Sequence, residues 1–560
     1  MLPTDTLLHI GDIRVTYDLM SAIIAALVLL CTLAVRYFFR RGKPLGGERS
    51  SANASLATPT PPDRLKPPAN APRARLLTPM WGLCLLLTLS ALSAWGFYHV
   101  FTTNKYLAGD YTGQFKWSYV AVFAFLAIQL LLAYCERPKY GYVNGNRYYV
   151  VTLVPLYNED PRIVQAAMSS LFYASRRPNA ISVVDDGSTK ADYTQLREWF
   201  LQQAEQLGIA AAWERTNNRG KRHAQVTAVE KFKPQLEAYG EHAIILTMDS
   251  DGILDPEAIH QGLMPFSDDK IQAVGGVVLA SNNRVNLLAR FTDLMFVTQQ
   301  LTDRSAMSTV GSGLVLSGGL AFYRAWVLLD NIEAYLGETF AGNPVTFSDD
   351  SKLTLYALDR GKVVQQPSAM VLTAMPQKLS HHVRQQMRWM RGSFIRGLWR
   401  LHYLPLFSWG FMRQSLGWAQ LIVSTYIFSV LLVANPIAGR PIPWEIAVVP
   451  VAVSYLQSLR YWSFKRSDMP FWSHLLNFLL APVAALWSFL VMRPMRFYAW
   501  CTCFKTGKWG TRENVEALTN AAPLQIESTR VDTLPPSLNP NTLYGNGEHT
   551  QQVNAPRHKK

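Results

Sequence analysis

At 560 residues the chain has room for more than one structural unit, and with 49% hydrophobic against 17% charged residues it is too apolar for an ordinary soluble enzyme of that size. Its net charge of +15 admits nucleic acid, anionic lipid or an anionic substrate as partner, so the position of the charge has to choose among them. The cysteines exclude a disulfide or zinc framework, because Cys31, Cys84 and Cys135 lie in apolar runs and Cys501 and Cys503 have no second pair.

In chain order, residues 1–40 carry a first apolar run at 18–39, matching the ~20 residues that cross a bilayer core, and basic RRGK follows it. The run has neither the basic start nor the small-residue cleavage site of a secretory signal, so a transmembrane helix is expected. Residues 41–77, rich in Pro, Ala, Ser and Arg, read as a disordered basic linker. A transmembrane hairpin is expected over 78–136, from apolar runs at 79–101 and 117–135 with aromatic ends suited to the interface. Arg36, Arg40, Arg41 and Lys43, then Arg64, Lys66, Arg73 and Arg75, place the linker in the cytoplasm. The hairpin returns the chain there, and 147–375, free of any spanning run, form a cytosolic domain.

Within that domain YYVVTLVPLYNED is a buried strand ending in a loop, and a helix starts from Asp160. AISVVDDGST and HAIILTMDSDG are further strands, each running into acidic residues. Strand, helix, strand with polar residues at the strand ends is the pattern of a doubly wound α/β sheet that binds its ligand at the carboxyl edge. Asp185–Asp186–Gly187 suits either a plain turn or a ligand contact. In NNRGKRHAQ, Arg219, Lys221 and Arg222 beside a glycine suit a loop that approaches phosphates, or a solvated basic loop. Asp249 and Asp251, one residue apart, can share a hard divalent cation that also bridges a diphosphate. Ser348–Asp349–Asp350, ahead of the helical SKLTLYALDRGK, supplies either a general base or a helix N-cap.

Residues 376–410 read as amphipathic interface helices. In VRQQMRWMRGSFIRG, Arg384, Arg391 and Arg396 suit the inner membrane surface, whereas Gln385, Arg388 and Trp389, at i, i+3 and i+4, share one helical face. Residues 411–500 contain apolar runs at 411–434, 443–459 and 470–492. Pro482 in the last one favours a kinked or re-entrant hairpin that keeps 493–512 cytoplasmic, with a simple span as the alternative. Residues 513–560 read as a disordered tail.

The succession VPLYNED, VVDDGS, NRGKR, MDSDG, SDD and Gln385-x-x-Arg388-Trp389, across 154–389, resembles that of the family 2 processive, membrane-integrated glycosyltransferases. DRSAMS (303–308) ahead of VLSGGLAFYR (315–324), and KWGTR (508–512), make class I hyaluronan synthases the nearest likeness, over roughly 80–512. Ser348 stands where that family usually has glycine, and Ser317 where several relatives carry cysteine. The resemblance implies an α/β GT-A-type glycosyltransferase domain inserted between the transmembrane helices of a multi-pass plasma-membrane protein, with its catalytic domain cytoplasmic. It implies hyaluronan made from UDP-GlcNAc and UDP-GlcA and extruded through the protein's own channel. A chitin, poly-N-acetylglucosamine or cellulose-type β-glucan synthase, using one UDP-sugar, is the alternative.

The same resemblance implies the roles. Asp249 and Asp251 hold Mg²⁺ or Mn²⁺, Asp350 is the base and Asp349 supports it. Tyr157, Glu159, Asp185 and Asp186 contact the nucleoside, with Lys221, Arg219 and Arg222 on phosphate or a sugar carboxylate. Ser317 and Gly318 belong to an acceptor loop, and Gln385, Arg388 and Trp389 hold the acceptor sugar. Thr511 and Arg512, in the 501–512 segment, form a gating loop near the nucleotide. The partners are then nucleotide sugars, the growing polysaccharide and membrane lipids. Nucleic acid is not among them, because the arginines lie in these motifs or beside membrane runs.

Overall fold

A computed structural model of the chain describes residues 6–10, 13–38, 73–76, 115–139, 147–439 and 445–506. Almost all of the expected linker, the run at 79–101, the 508–512 motif with Thr511 and Arg512, and the 513–560 tail lie outside the described residues.

Among the described residues, two helices precede the sheet domain, α1 (Tyr17–Phe38) and α2 (Lys116–Cys135). The domain opens with β1 (Tyr149–Leu156), α3 (Pro161–Tyr173), β2 (Ala180–Asp185), α4 (Thr194–Gln206), β3 (Ala210–Arg215), α5 (Lys221–Glu230) and β4 (Ala243–Thr247). Helix α3 starts where expected: Asp160 accepts from Arg162 N at 2.9 Å and Pro161 takes the first helical position, where its missing N–H leaves no bond unmade. The domain continues with β5 (Ile253–Leu254), β6 (Ile271–Ala280), α6 (Leu287–Gln299), β7 (Ala321–Arg324), α7 (Asp349–Arg360) and β8 (Lys362–Thr373).

These strands form one sheet in the order β3-β2-β1-β4-β7-β6-β8-β5. Strands β3, β2, β1 and β4 are mutually parallel, and alternate residues divide between two cores. Val150, Val154, Ile181 and Val183 pack with α3 and α4, while Val151, Leu153, Ala180 and Val184 pack with α5 and α7. Both faces are covered, so these strands are continuously apolar rather than alternating. The doubly wound expectation holds for this half only. Strand β7 runs antiparallel to both β4 and β6, with Ala321 opposite Thr247. That reversal brings the chain entering β7, residues 317–320, to the carboxyl edge of β4.

The chain leaves the domain through α8 (Leu379–Tyr403), α9 (Trp409–Ser429), α10 (Glu445–Ser458), α11 (Phe471–Leu479), α12 (Ala481–Trp487) and α13 (Arg493–Cys501). Three helices among the described residues are long and apolar enough to cross a membrane: Tyr17–Tyr37, Trp117–Cys135 and Trp409–Ile437. Within the apolar run at 443–459, residues 445–458 form a helix with Pro450 inside it, and a 3-10 turn continues it through Ser463. Helices α11 and α12 bend by 43° at the break before Pro482, so the expected kink is present. Both ends of this bent segment touch the sheet domain or α8. Arg290 of α6 donates to Asn477 Oδ1 at 2.6 Å, Arg391 of α8 to Thr502 Oγ1 at 3.2 Å, and Thr346 to Thr506 O at 3.3 Å.

Polar bonds fasten the sheet domain to the apolar helices. Asp303 accepts from Gln129 of α2 at 3.0 Å and from Arg413 Nε of α9 at 2.8 Å. Glu136, buried at the end of α2, pairs with Arg460 at 3.2 Å, and buried Arg466 pairs with Asp293 of α6 at 3.2 Å. Buried pairs of this kind cost desolvation and return it only in well-aligned geometry, so they fix orientation more than they add stability.

Candidate active site

Strands β1 and β4 end side by side, which sets Tyr157 and Glu159 beside Asp249, Ser250 and Asp251 on one wall of a cavity. Ser250 Oγ lies 3.4 Å from Glu159 Oε2. Lys221 opens α5 and places Nζ 2.7 Å from Asp249 Oδ1 and 3.2 Å from Asp349 Oδ2. One ammonium therefore joins the DxD turn to the first turn of α7. Asp349 also accepts from Gln225 at 3.2 Å, and Asp350 accepts from the backbone N–H of Ser351 at 2.6 Å. Ser317 and Gly318 arrive over these carboxylates on the loop into β7. A Cβ on Gly318 would sit 3.3 Å from Lys221 Nζ and 3.7 Å from Asp350 Cβ, so the loop lies in contact with the site.

The charged groups gathered here shift in different directions. Burial disfavours the charged form of Lys221, but Asp249, Asp349 and Asp350 outweigh that and hold the ammonium above its ordinary pKa. Burial likewise opposes ionisation of Asp349, yet Lys221 and Arg222 prevail and lower its pKa. Asp350 goes the other way: burial and the neighbouring Asp349 push it up. Burial and Asp249 push Asp251 up to about 7. Asp349 is thus the fixed counter-charge of the site, whereas Asp350 and Asp251 hold their protons more tightly than ordinary carboxylic acids.

Helix α8 covers this edge. Gln385, Arg388 and Trp389 all face the cavity, as their spacing predicts, and Trp389 stacks on Phe296 of α6 with centroids 5.6 Å apart and planes 22° apart. Arg304 lies over the Phe296 ring at 5.4 Å and also borders the cavity. The sequence reading did not single out Phe296 or Arg304. DRSAMS marks the segment, but only the folded chain shows that its arginine borders the same cavity as Asp350.

The cavity, of about 1770 Å³, does not stop at the carboxylates. It continues between the apolar helices, past Tyr119 and Phe123 of α2, Ser424 of α9 and Ser454 of α10, to Phe489, Arg493 and Arg496.

Several expected site residues are elsewhere. Asp185 and Asp186 do not border the cavity. Asp185 accepts from Ser188 N at 2.9 Å, and Asp186 from the N–H groups of Arg219 and Gly220 at 2.9 and 2.8 Å. They shape the turn at Gly187 (φ 74°) and hold the basic loop. Arg219 is exposed and contributes its backbone. Arg222 is buried away from the cavity, donating to Tyr335 O at 3.0 Å and Phe347 O at 2.7 Å and pairing with Glu338 at 2.8 Å. The helical turn that aims Lys221 at Asp249 carries Arg222 to another face. Arg396, expected at the membrane surface, is 1% exposed and bonds Glu338 through Nη2 at 2.6 Å. Hydrophobic pattern alone cannot tell a lipid-facing arginine from one seated on a buried acid.

Ser348 caps α7 from the left-handed region, φ 56°, and its side chain makes no capping bond. Glycine adopts that conformation without strain, which is the physical sense of the family's preference. Helix α8 passes so close at Gly392 that a Cβ there would lie 1.8 Å from Ser348 Oγ. Gly392→Ala is therefore expected to lower thermal stability by about 1–3 kcal/mol through overpacking, and adding Ser348→Gly to restore most of the loss. Melting of the single and double variants checks this; additive effects would mean that the two residues do not meet.

No cluster of three or more His, Cys, Asp or Glu side chains suited to a metal occurs among the described residues. The described cysteines, Cys31, Cys135, Cys501 and Cys503, are free thiols.

A family profile described as "Glycosyltransferase like family 2" matches residues 147–392. The chain is 30% identical to a hyaluronan synthase of Streptococcus pyogenes serotype M3 over 414 residues, covering 74% of this chain and 94% of that one. It is 28% identical to an N-acetylglucosaminyltransferase of Mesorhizobium japonicum, covering 67% and 85%. Among solved structures, a mannosyltransferase from Pyrobaculum calidifontis in complex with GDP-Man and Mn²⁺ aligns with a TM-score of 0.41 and 19% identity, covering 66% of this chain and 98% of that one.

Proposed function

The chain belongs to the hyaluronan synthase-like family 2 glycosyltransferases, with their GT-A-type domain, and from that premise we propose that it polymerises hyaluronan from UDP-GlcA and UDP-GlcNAc and extrudes it between its own membrane helices. The observation that carries this reading is the single cavity running from Asp249, Asp251 and Asp350 into the space between α2, α9, α10 and α12. A hydrophilic polymer cannot enter lipid, so a transferase whose acceptor face opens among apolar helices has a route for its product.

The residues divide the work. Asp350, its proton affinity raised, receives the proton of the acceptor hydroxyl, and Asp349 holds Lys221 and Gln225 in place beside it. Trp389 offers a flat apolar face to the acceptor sugar, and Gln385 and Arg388 offer it polar contacts. Ser317 and Gly318 line the opposite side, while Tyr157 and Glu159 border the donor end.

Asp249 and Asp251 fit a divalent cation such as Mg²⁺ or Mn²⁺. Both face the cavity, and desolvation followed by repulsion from Asp249 raises the pKa of Asp251. Two carboxylates leave a cation most of its coordination for diphosphate and water, the usual habit of Mg²⁺ at nucleotide sites. When bound there, such an ion would supply positive charge against the departing diphosphate.

The polymer's charge separates hyaluronan from the single-sugar alternative, a chitin-type chain of N-acetylglucosamine, which the Mesorhizobium relative keeps in view. Arg493 and Arg496 border the cavity among the membrane helices, and Arg493 donates to Ser424 and Thr425 at 2.9 and 3.1 Å. Cations lining an exit path suit a polyanion better than a neutral polymer. Purified protein is expected to make hyaluronidase-sensitive polymer only when both UDP-GlcA and UDP-GlcNAc are supplied. Polymer from UDP-GlcNAc alone would establish the alternative. The basic residues that follow α1, from Arg36 to Arg75, favour a catalytic domain in the cytoplasm, as expected of a plasma-membrane synthase.

A further inference from the structure

Glu338, which no motif marks, lies in the loop leading to Ser348 and is buried away from the cavity. Three cations from three elements converge on it. Arg222 of α5 reaches it at 2.8 Å, Lys352 of α7 at 3.3 Å, and Arg396 of α8 spans both carboxylate oxygens, with Nη2–Oε2 at 2.6 Å. Burial opposes ionisation of Glu338, but Arg396, Lys352 and Arg222 outweigh it and hold the carboxyl at about 2, so the charge is present at any working pH.

Each of the three cations sits beside a different part of the site. Arg222 follows Lys221, which grips Asp249 and Asp349. Lys352 comes two residues after Asp350, on the same first turns of α7. Arg396 stands seven residues beyond Trp389, two helical turns along the same face of α8. Arg222 also ties down both ends of the loop that carries Glu338, through Tyr335 O and Phe347 O.

We propose that Glu338 is a positioning residue for sugar transfer: Arg222 and Lys352 anchor it to the elements that carry Lys221 and the base Asp350, and through Arg396 it holds the acceptor-holding face of α8 at a set distance from them. This rests on the reading of Asp350 as base and of α8 as acceptor helix. In transfer, the acceptor oxygen bonds to the donor's anomeric carbon, and the bond from that carbon to the diphosphate breaks, its electron pair leaving on UDP. The hydroxyl proton passes to Asp350. When water replaces the acceptor the same bonds form and break, but α8 has nothing to align. A loosened α8 therefore slows transfer to sugar more than it slows hydrolysis.

The test compares full-length wild type, Glu338→Gln and Arg396→Lys in detergent, measuring UDP released per sugar incorporated together with the KM for each UDP-sugar. Glu338→Gln is expected to reduce polymer synthesis between about tenfold and about a hundredfold, with hydrolysis and KM changed by no more than about twofold. The ratio of UDP to incorporated sugar then rises. A residue that only supported the fold would lower polymer and hydrolysis together with the amount of folded protein, and an unchanged ratio overturns the proposal. If Glu338→Gln does not fold, Arg396→Lys decides, because lysine keeps the charge and loses the fork that spans both oxygens. It too is expected to raise the ratio, and a wild-type ratio overturns the proposal. Transfer retained by Asp350→Asn would sink the base assignment instead, a separate result.

Discussion

Asp350→Asn is expected to reduce polymer synthesis by about 10²–10⁴-fold, the usual contribution of a positioned general base, without loss of the folded protein. Asparagine matches aspartate in shape, and its Oδ1 can still accept from Ser351 N, as Asp350 does at 2.6 Å. It also removes a negative charge from beside Asp349, where desolvation and then repulsion from Asp349 already raise the pKa of Asp350. The melting temperature should therefore hold while activity falls. The wild-type pH profile carries a second sign of the same assignment. A base with a raised pKa works only when deprotonated, so kcat should decline as pH falls through that raised value. The measurement is sugar incorporation by Asp350→Asn and wild type across pH, alongside melting in the same detergent. An Asn variant that keeps both its rate and the wild-type pH profile would move the base elsewhere.

The second large effect is expected at Asp251. Its side chain is half-buried at the cavity wall beside Asp249, and desolvation together with the Asp249 charge lifts it to about 7. A divalent cation has to displace this proton, so Mn²⁺ affinity should weaken as pH falls through about 7. Asp251→Asn removes both the charge and the titration. The loss of several kcal/mol of charge stabilisation at the leaving diphosphate corresponds to a rate reduction of about 10²–10³-fold. Calorimetric titration of Mn²⁺ with UDP present, at several pH values, checks both parts. Wild-type affinity and pH slope in Asp251→Asn would place the cation on other residues.

How much of this could be read before folding depended on the range of the physical cause. Strand ends and the α3 cap are local, set by apolar runs and by Asp160 and Pro161, and they lie where the residues place them. The helical face shared by Gln385, Arg388 and Trp389 follows from spacing alone, and all three border the cavity. Asp186, Arg222 and Arg396 show the limit. Each has the composition of a ligand contact or a membrane-facing group, and each instead satisfies a partner distant in sequence, with Arg219 and Gly220 N–H groups on one side and Glu338 on the other.

The sequence by itself determined the order of motifs, the reaction class they resemble, the apolar runs and the carboxylates at strand ends, because these depend on residue type and short-range periodicity. Only the tertiary structure decided which charges meet. It turned β7 antiparallel so that Gly318 lies over Lys221, put one ammonium between Asp249 and Asp349, and gathered three cations on Glu338. Burial and distance set the strength of a charge interaction, and both come from contacts between residues far apart in the chain.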